Sequence, residues 1–262
     1  MKNNRDKIIF FGNGPLADFA LKILEQKFEI VFHARSKADL DEVCRQKSEQ
    51  PELHGVLASF GVLIKSNVLD LFEPEGILNI HPSLLPAYRG ASPIESAILA
   101  GDTDFSVSVM KLVEAMDAGP VYYQITLKDL PLEKTAIYQA LAEAGANWIC
   151  ENLADLPTPM AQDDTKATFC GKMDKSMSLL TPEIDSAEQT LRKIVAYQGY
   201  PKPKYAFFGQ NCIILDAHAL KSGEEAFLTI KCADGALVAV DRLQPEGRKP
   251  MDARAFINGY KK

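Results

Sequence analysis

Asn79 and His81 stand two residues apart in the stretch GILNIH at 76–81, and Asp117 follows in AMDAGP at 115–120. On a strand, residues two apart share a face. Asn79 and His81 therefore project together while Leu78 and Ile80 point the other way. Polar side chains on an otherwise apolar strand cost free energy unless something satisfies them. The three residue types have complementary chemistry. An asparagine amide donates to a developing oxyanion. An imidazole donates to the same oxyanion or moves a proton near neutral pH. A carboxylate orients the imidazole or accepts a proton through water. None of them is a strong nucleophile, so the set points to direct group transfer rather than a covalent enzyme intermediate. The same trio also fits a structural histidine held between an amide and a carboxylate.

The elements that must position these groups are readable from periodicity. Apolar runs at 7–11, 28–34, 55–61 and 76–80 predict strands, separated by helical patterns after Gly14, in DLDEVCRQK and at 66–72. Such alternation predicts an α/β fold with a mostly parallel, Rossmann-like sheet. Ser92, Pro93 and Glu95 predict a capped helix start, and 105–113 and 120–127 read as strands. A helix is expected at about 131–154. From 156 to 182 turn formers replace periodic apolar residues, which marks a linker. The domains are thus expected at 1–160 and 183–262, with 161–182 between them. Beyond the linker, SAEQTLRKIVAY predicts a helix, and short strands separated by SGEE and ADGA predict a small antiparallel, OB-like barrel.

Composition narrows the function classes. The chain has 262 residues, 47% of them hydrophobic and 24% charged, as a globular protein should. It has no apolar run of membrane-span length and no signal-peptide pattern, so a cytoplasmic protein is expected. Five cysteines without CxxC spacing and four histidines without HExxH predict reduced thiols and no metal site. The net charge of −6 is uneven. Residues 1–174 carry 16 Lys+Arg against 25 Asp+Glu, net −9, whereas 175–262 carry 13 against 10, net +3. Gly12-Asn-Gly-Pro-Leu-Ala17 matches a dinucleotide fingerprint. Pro15, however, removes an amide from the turn that would cradle a pyrophosphate, so an ordinary glycine turn is the preferred reading.

The block NIHPSLLPAYRGASPIESAILAGD, with MDAG after it, resembles the signature of the folate-dependent formyltransferases. Within them RGASPIESAILAGD is most similar to the branch acting on methionyl-tRNA. IIFFGNGPLADFAL, QDDTKATFCGKM and LQPEGRKPMDARAFINGY are similar to that branch in the same order. The resemblance implies that Asn79, His81 and Asp117 form the catalytic trio. It implies that Ser83, Leu84, Leu85 and Pro86 line the site of 10-formyltetrahydrofolate, and that no metal takes part. It implies a methionyl-tRNA (initiator) acceptor, a C-terminal domain that helps hold the tRNA, and a monomer acting in translation initiation. A sugar-nucleotide N-formyltransferase with the same donor is the alternative. Arg89, Lys166, Lys172, Lys175, Arg248 and Lys249 are candidate phosphate contacts. The family's long basic loop after the second strand is much shortened here. It leaves Arg35, Lys37, Arg45 and Lys47 as its cations, among five acids.

Overall fold

The computed structural model describes residues 6–260. The chain divides into two units. One comprises residues up to Ile94 together with Thr103–Gly171. The other comprises Glu95–Asp102 and the chain from Lys172 onward.

The first unit is built on a six-stranded sheet. In chain order its strands are β1 (Lys7–Phe11), β2 (Glu29–Ala34), β3 (His54–Leu57), β4 (Ile77–His81), β6 (Phe105–Lys111) and β7 (Val121–Leu127). β5 (Arg89–Gly90) lies outside it, paired in parallel with β8 (Phe169–Cys170). The spatial order is β2-β1-β3-β4-β6-β7. The first three pairings are parallel, and β6 and β7 join antiparallel. The sheet is therefore mixed, with its parallel half wound as the strand–helix alternation predicts. Ile8, Ile9, Phe10 and Phe11 are fully buried, as a central parallel strand requires. β3 stops at Leu57 rather than at 61, because Ser59 and Gly61 take left-handed backbone at φ 51° and 68°.

Helix α1 (Pro15–Lys27) starts with proline in its first turn and buries Leu16, Ala17, Ala20 and Leu24. The glycine turn before it explains itself without a ligand. A Cβ on Gly12 would meet the Ala58 carbonyl oxygen at 2.0 Å, and the Gly12 amide donates to Ala34 O at 2.9 Å. α2 (Leu40–Glu49) and α3 (Ser66–Leu69) flank β3, and α4 (Pro93–Ala100) spans the division between the units. α5 (Lys134–Asn152) presses on β4 at Gly145, where a Cβ would come within 2.7 Å of Ile80 Cγ2. Ile80 is thus packed under the helix, and the alternation of β4 turns Asn79 and His81 to the opposite face. Each such buried aliphatic contributes about 1.5–3 kcal/mol, which anchors the register that the polar pair depends on.

The second unit is an antiparallel half-barrel. β9 (Lys204–Phe207), β10 (Gln210–Ala219), β11 (Thr229–Lys231) and β12 (Leu237–Pro245) take the order β11-β12-β10-β9, and β13 (Met251–Asp252) pairs with β12. α6 (Ala187–Ala196) begins in a capping box, in which Ser186 Oγ accepts from Gln189 N and Gln189 Oε1 accepts from Ser186 N. α7 (Ala253–Tyr260) was not expected from the sequence. Its Phe256 is fully buried beside Phe207, Ile214 and Leu243. Among the described residues no helix is long and apolar enough to cross a membrane.

Candidate active site

β4 delivers the first two groups. Asn79 lies opposite Leu57 of β3 and Met110 of β6, and His81 opposite Ser108. Each is 5% exposed. The Asn79 amide has no hydrogen-bond partner among the described residues, although no fully inaccessible side-chain nitrogen or oxygen there is left unpaired. The amide therefore keeps an edge open to solvent or to a ligand.

His81 has a polar neighbour on each side. Its Nε2 lies 3.1 Å from the Tyr88 carbonyl oxygen, an acceptor only, so this nitrogen carries the hydrogen. Its Nδ1 lies 3.7 Å from Asp117 Oδ1. That is too long for a hydrogen bond, and with the hydrogen on Nε2 a bond here would need a further proton on Nδ1 or on the carboxylate. The second Asp117 oxygen accepts from the Gly90 amide at 2.8 Å. Asp117 sits in the β6–β7 connection at φ 49°, a left-handed conformation that aspartate tolerates better than most residues. The structure thus gathers the three sequence-predicted groups at the C-terminal end of β4. The ligand crevice of an open α/β sheet forms at such strand ends.

The loop after β4 is fixed by buried polar contacts. Ser83 Oγ donates to Ala87 O at 2.6 Å, and Ser108 Oγ donates to Ser83 O at 2.6 Å. Leu85 N donates to Ser108 Oγ, and Gln124 Nε2 donates to Leu85 O. The Leu85 side chain packs with Met110 and Val121. Pro86 O accepts from Thr168 N. Of the four loop residues named from the sequence, Leu84 alone offers a large exposed side chain, at 47%. Ser83, Leu85 and Pro86 hold the loop's shape.

Several neighbours escaped the sequence reading. Thr168 takes the Tyr88 amide on its hydroxyl and the Arg89 amide on its carbonyl, both at 2.9 Å. Cys170 Sγ donates to Tyr88 O at 3.4 Å. These contacts form the two-stranded β5–β8 ribbon that brings Tyr88 to His81. Arg89, a candidate phosphate contact in the sequence, does not reach the surface. It is 4% exposed, and its guanidinium pairs with Asp164 at 2.6 Å, so it is part of the interior scaffold.

A family model described as "Formyl transferase" matches residues 11–153, and one described as "Formyl transferase, C-terminal domain" matches 174–261. The methionyl-tRNA formyltransferase of Granulibacter bethesdensis is 36% identical over 221 residues, covering 79% of this chain and 68% of the relative. The chain belongs to the methionyl-tRNA formyltransferase family. Two solved formyltransferases share the fold. The methionyl-tRNA formyltransferase from Clostridium thermocellum superposes with a TM-score of 0.69 at 18% identity, covering 92% of this chain and 98% of that one. WlaRD, a sugar 3N-formyl transferase solved in the presence of dTDP and 5-N-formyl-THF, superposes with a TM-score of 0.65 at 13% identity, covering 94% and 99%. Among the described residues no cluster of His, Cys, Asp or Glu could hold a metal ion.

Proposed function

We propose that this formyltransferase moves the formyl group of 10-formyltetrahydrofolate to the α-amino group of initiator methionyl-tRNA, giving formylmethionyl-tRNA for translation initiation. One observation carries the reading. The Asn79 amide stands unpaired on a buried strand, on the same face as an imidazole that is bonded to a carbonyl and faces a carboxylate. An unpaired donor in that position supports catalysis over a merely structural histidine, because folding alone would favour an apolar residue there.

The reaction forms a bond between the methionyl nitrogen and the formyl carbon and breaks the bond from that carbon to N10 of the folate. One proton leaves the amine and one reaches N10. As the nitrogen attacks, the formyl oxygen becomes an oxyanion, which the Asn79 amide stabilises, joined by His81 once its Nε2–H turns from the Tyr88 carbonyl to the oxyanion. Asp117 orients His81 and accepts the amine proton directly or through water. Ser83, Leu84, Leu85 and Pro86 flank the folate, with Leu84 supplying apolar surface against it. The relative at 36% identity favours the tRNA acceptor over a sugar nucleotide.

The test mixes the protein with 10-formyltetrahydrofolate and charged methionyl-tRNA and measures formylmethionine after deacylation, with an amino-sugar nucleotide as the competing acceptor. Formylmethionine is the expected product. Formylation of the sugar alone would overturn the choice of acceptor, and formylation of neither would overturn formyl transfer.

A further inference from the structure

Gln162 lies in the aperiodic stretch before β8, yet all of its amide's hydrogen-bonding groups are engaged. Its Nε2 donates to the Asp117 carbonyl at 2.8 Å and to the Gly119 carbonyl at 2.7 Å. Its Oε1 accepts from Arg89 Nε at 3.1 Å and from Arg89 Nη2 at 2.8 Å. A guanidinium only donates and a carbonyl only accepts, so the partners dictate which way the amide points. Arg89 is buried, and its Nη2 also donates to Asp164 Oδ1 at 2.6 Å.

The position of Arg89 in the chain gives this contact its consequence. The residue before it, Tyr88, supplies the carbonyl at His81 Nε2. The residue after it, Gly90, supplies the amide that holds Asp117 Oδ2. Asp117 in turn faces His81 Nδ1. A single side-chain amide therefore ties the segment holding one nitrogen of His81 to the turn holding the other. Its two bonds also grip the backbone on either side of Ala118, where Asp117 keeps its left-handed conformation.

We propose that Gln162, braced by Arg89, is a positioning residue that sets the separation of Asp117 and His81; the inference rests on the formyl-transfer reading above. A displacement of about 1 Å at a reacting pair can cost on the order of a hundredfold in rate. The Asp117–His81 gap has no slack to lose, because it already exceeds hydrogen-bond length.

The test is a double-mutant cycle with Asp117→Ala, supported by a split of kcat from KM. Gln162→Met keeps length and volume but loses all four bonds. Gln162→Glu keeps an acceptor toward Arg89 but turns a second oxygen on the two carbonyls. Either variant is expected to lower kcat by roughly tenfold to a hundredfold, with KM for 10-formyltetrahydrofolate changed less than about twofold. In the Asp117→Ala background the same change should cost less than about twofold more, because the group being positioned is gone. Equal losses in both backgrounds would overturn the inference, and so would an unchanged kcat. If Gln162→Met fails to fold, Gln162→Glu decides. Loss of folding in both would overturn the inference in favour of a purely structural amide. A wild-type protein that does not formylate methionyl-tRNA, or full turnover in Asp117→Ala, would overturn the formyl-transfer reading and this inference with it.

Discussion

Replacing Asn79 by leucine removes an amide and leaves a side chain of similar size in its place. The structure makes the two consequences opposite in sign. A buried polar group without a partner costs a fold about 1–3 kcal/mol relative to a satisfied or apolar one. Asn79 is 5% exposed, and its amide keeps an edge to solvent, so the low end of that range applies. Asn79→Leu is therefore expected to stabilise the first unit by up to about 1 kcal/mol, or roughly 2–4 °C in melting midpoint. Removing one oxyanion donor costs about 3 kcal/mol of transition-state stabilisation, on the order of a hundredfold in turnover. Asn79→Ala should lose the same turnover without the gain in stability, because it leaves a void against Leu57 and Met110. Single-turnover formylation with saturating folate and methionyl-tRNA reads the first quantity, and thermal unfolding reads the second. A leucine variant that melts lower and turns over normally would refute the reasoning on both counts. It would make Asn79 an ordinary packing residue.

Asp117→Asn keeps an oxygen for the Gly90 amide and a side chain that tolerates φ 49°, so it should fold normally. It should lose turnover by about a hundredfold or more in the formylation assay, because it cannot take a proton. Gly90→Ala should lower the melting midpoint and disorder the Tyr88 carbonyl. Its Cβ would lie 2.1 Å from the Cys170 carbonyl oxygen at a backbone φ of 127°, which L-residues rarely adopt; a midpoint equal to wild type would contradict this. In the second unit, His218 Nδ1 meets Asp241 at 2.7 Å and Nε2 meets Glu224 at 2.9 Å. Hydrogen bonds to these two carboxylates raise its pKa above the ordinary histidine value. A raised native pKa means that the stabilisation is complete below about pH 6.5, the unfolded value, and is lost as pH rises through the native one. The melting difference between wild type and His218→Asn should therefore be largest at acid pH and shrink toward pH 9. A difference that grows with pH would show the opposite linkage.

The site's side chains were legible in the sequence because each violates a local rule. Two polar residues interrupt an apolar strand at period two, and an acid sits between turn formers after the next strand. The parts that hold them were not legible, because they are mostly backbone. The carbonyl of Tyr88 and the amide of Gly90 carry no side-chain signal, and a two-residue ribbon such as β5–β8 has no period to detect. The composition change begins at 156, yet contacts of the first unit continue to Gly171, since the stretch is built from hydrogen bonds rather than apolar periodicity. The same limit explains Arg89. A cation in a polar loop reads as a surface charge until its partners Gln162 and Asp164 are seen. α7 escaped because its eight residues follow directly on a strand, with only Ala253 and Phe256 buried.

The shortened segment after β2 bears on how so large an acceptor is gripped. Its four cations are not equivalent in the structure. Arg45 is committed on two sides, to Glu42 at 2.5 Å and Glu49 at 2.8 Å. Lys47 is 9% exposed, donates to the carbonyls of Pro51 and Leu53, and lies over the Phe72 ring. It closes the end of α2 from inside, and burial lowers its pKa. Arg35 turns back onto His33, and the carboxylate of Asp39 accepts from the Arg35 amide beside it. Lys37 stands within that same Ser36–Asp39 turn. Two of the four cations, Arg45 and Lys47, are therefore neutralised or buried, and Arg35 and Lys37 remain exposed in one short turn. Backbone phosphate contacts supply the salt-dependent part of nucleic-acid affinity, roughly one unit of salt slope per contact. With Arg35 and Lys37 exposed, this segment can contribute at most about two units of that slope. Any larger salt dependence must come from other surfaces, and residues 175–262, at net +3 against −9 for residues 1–174, carry the sequence's excess of positive charge.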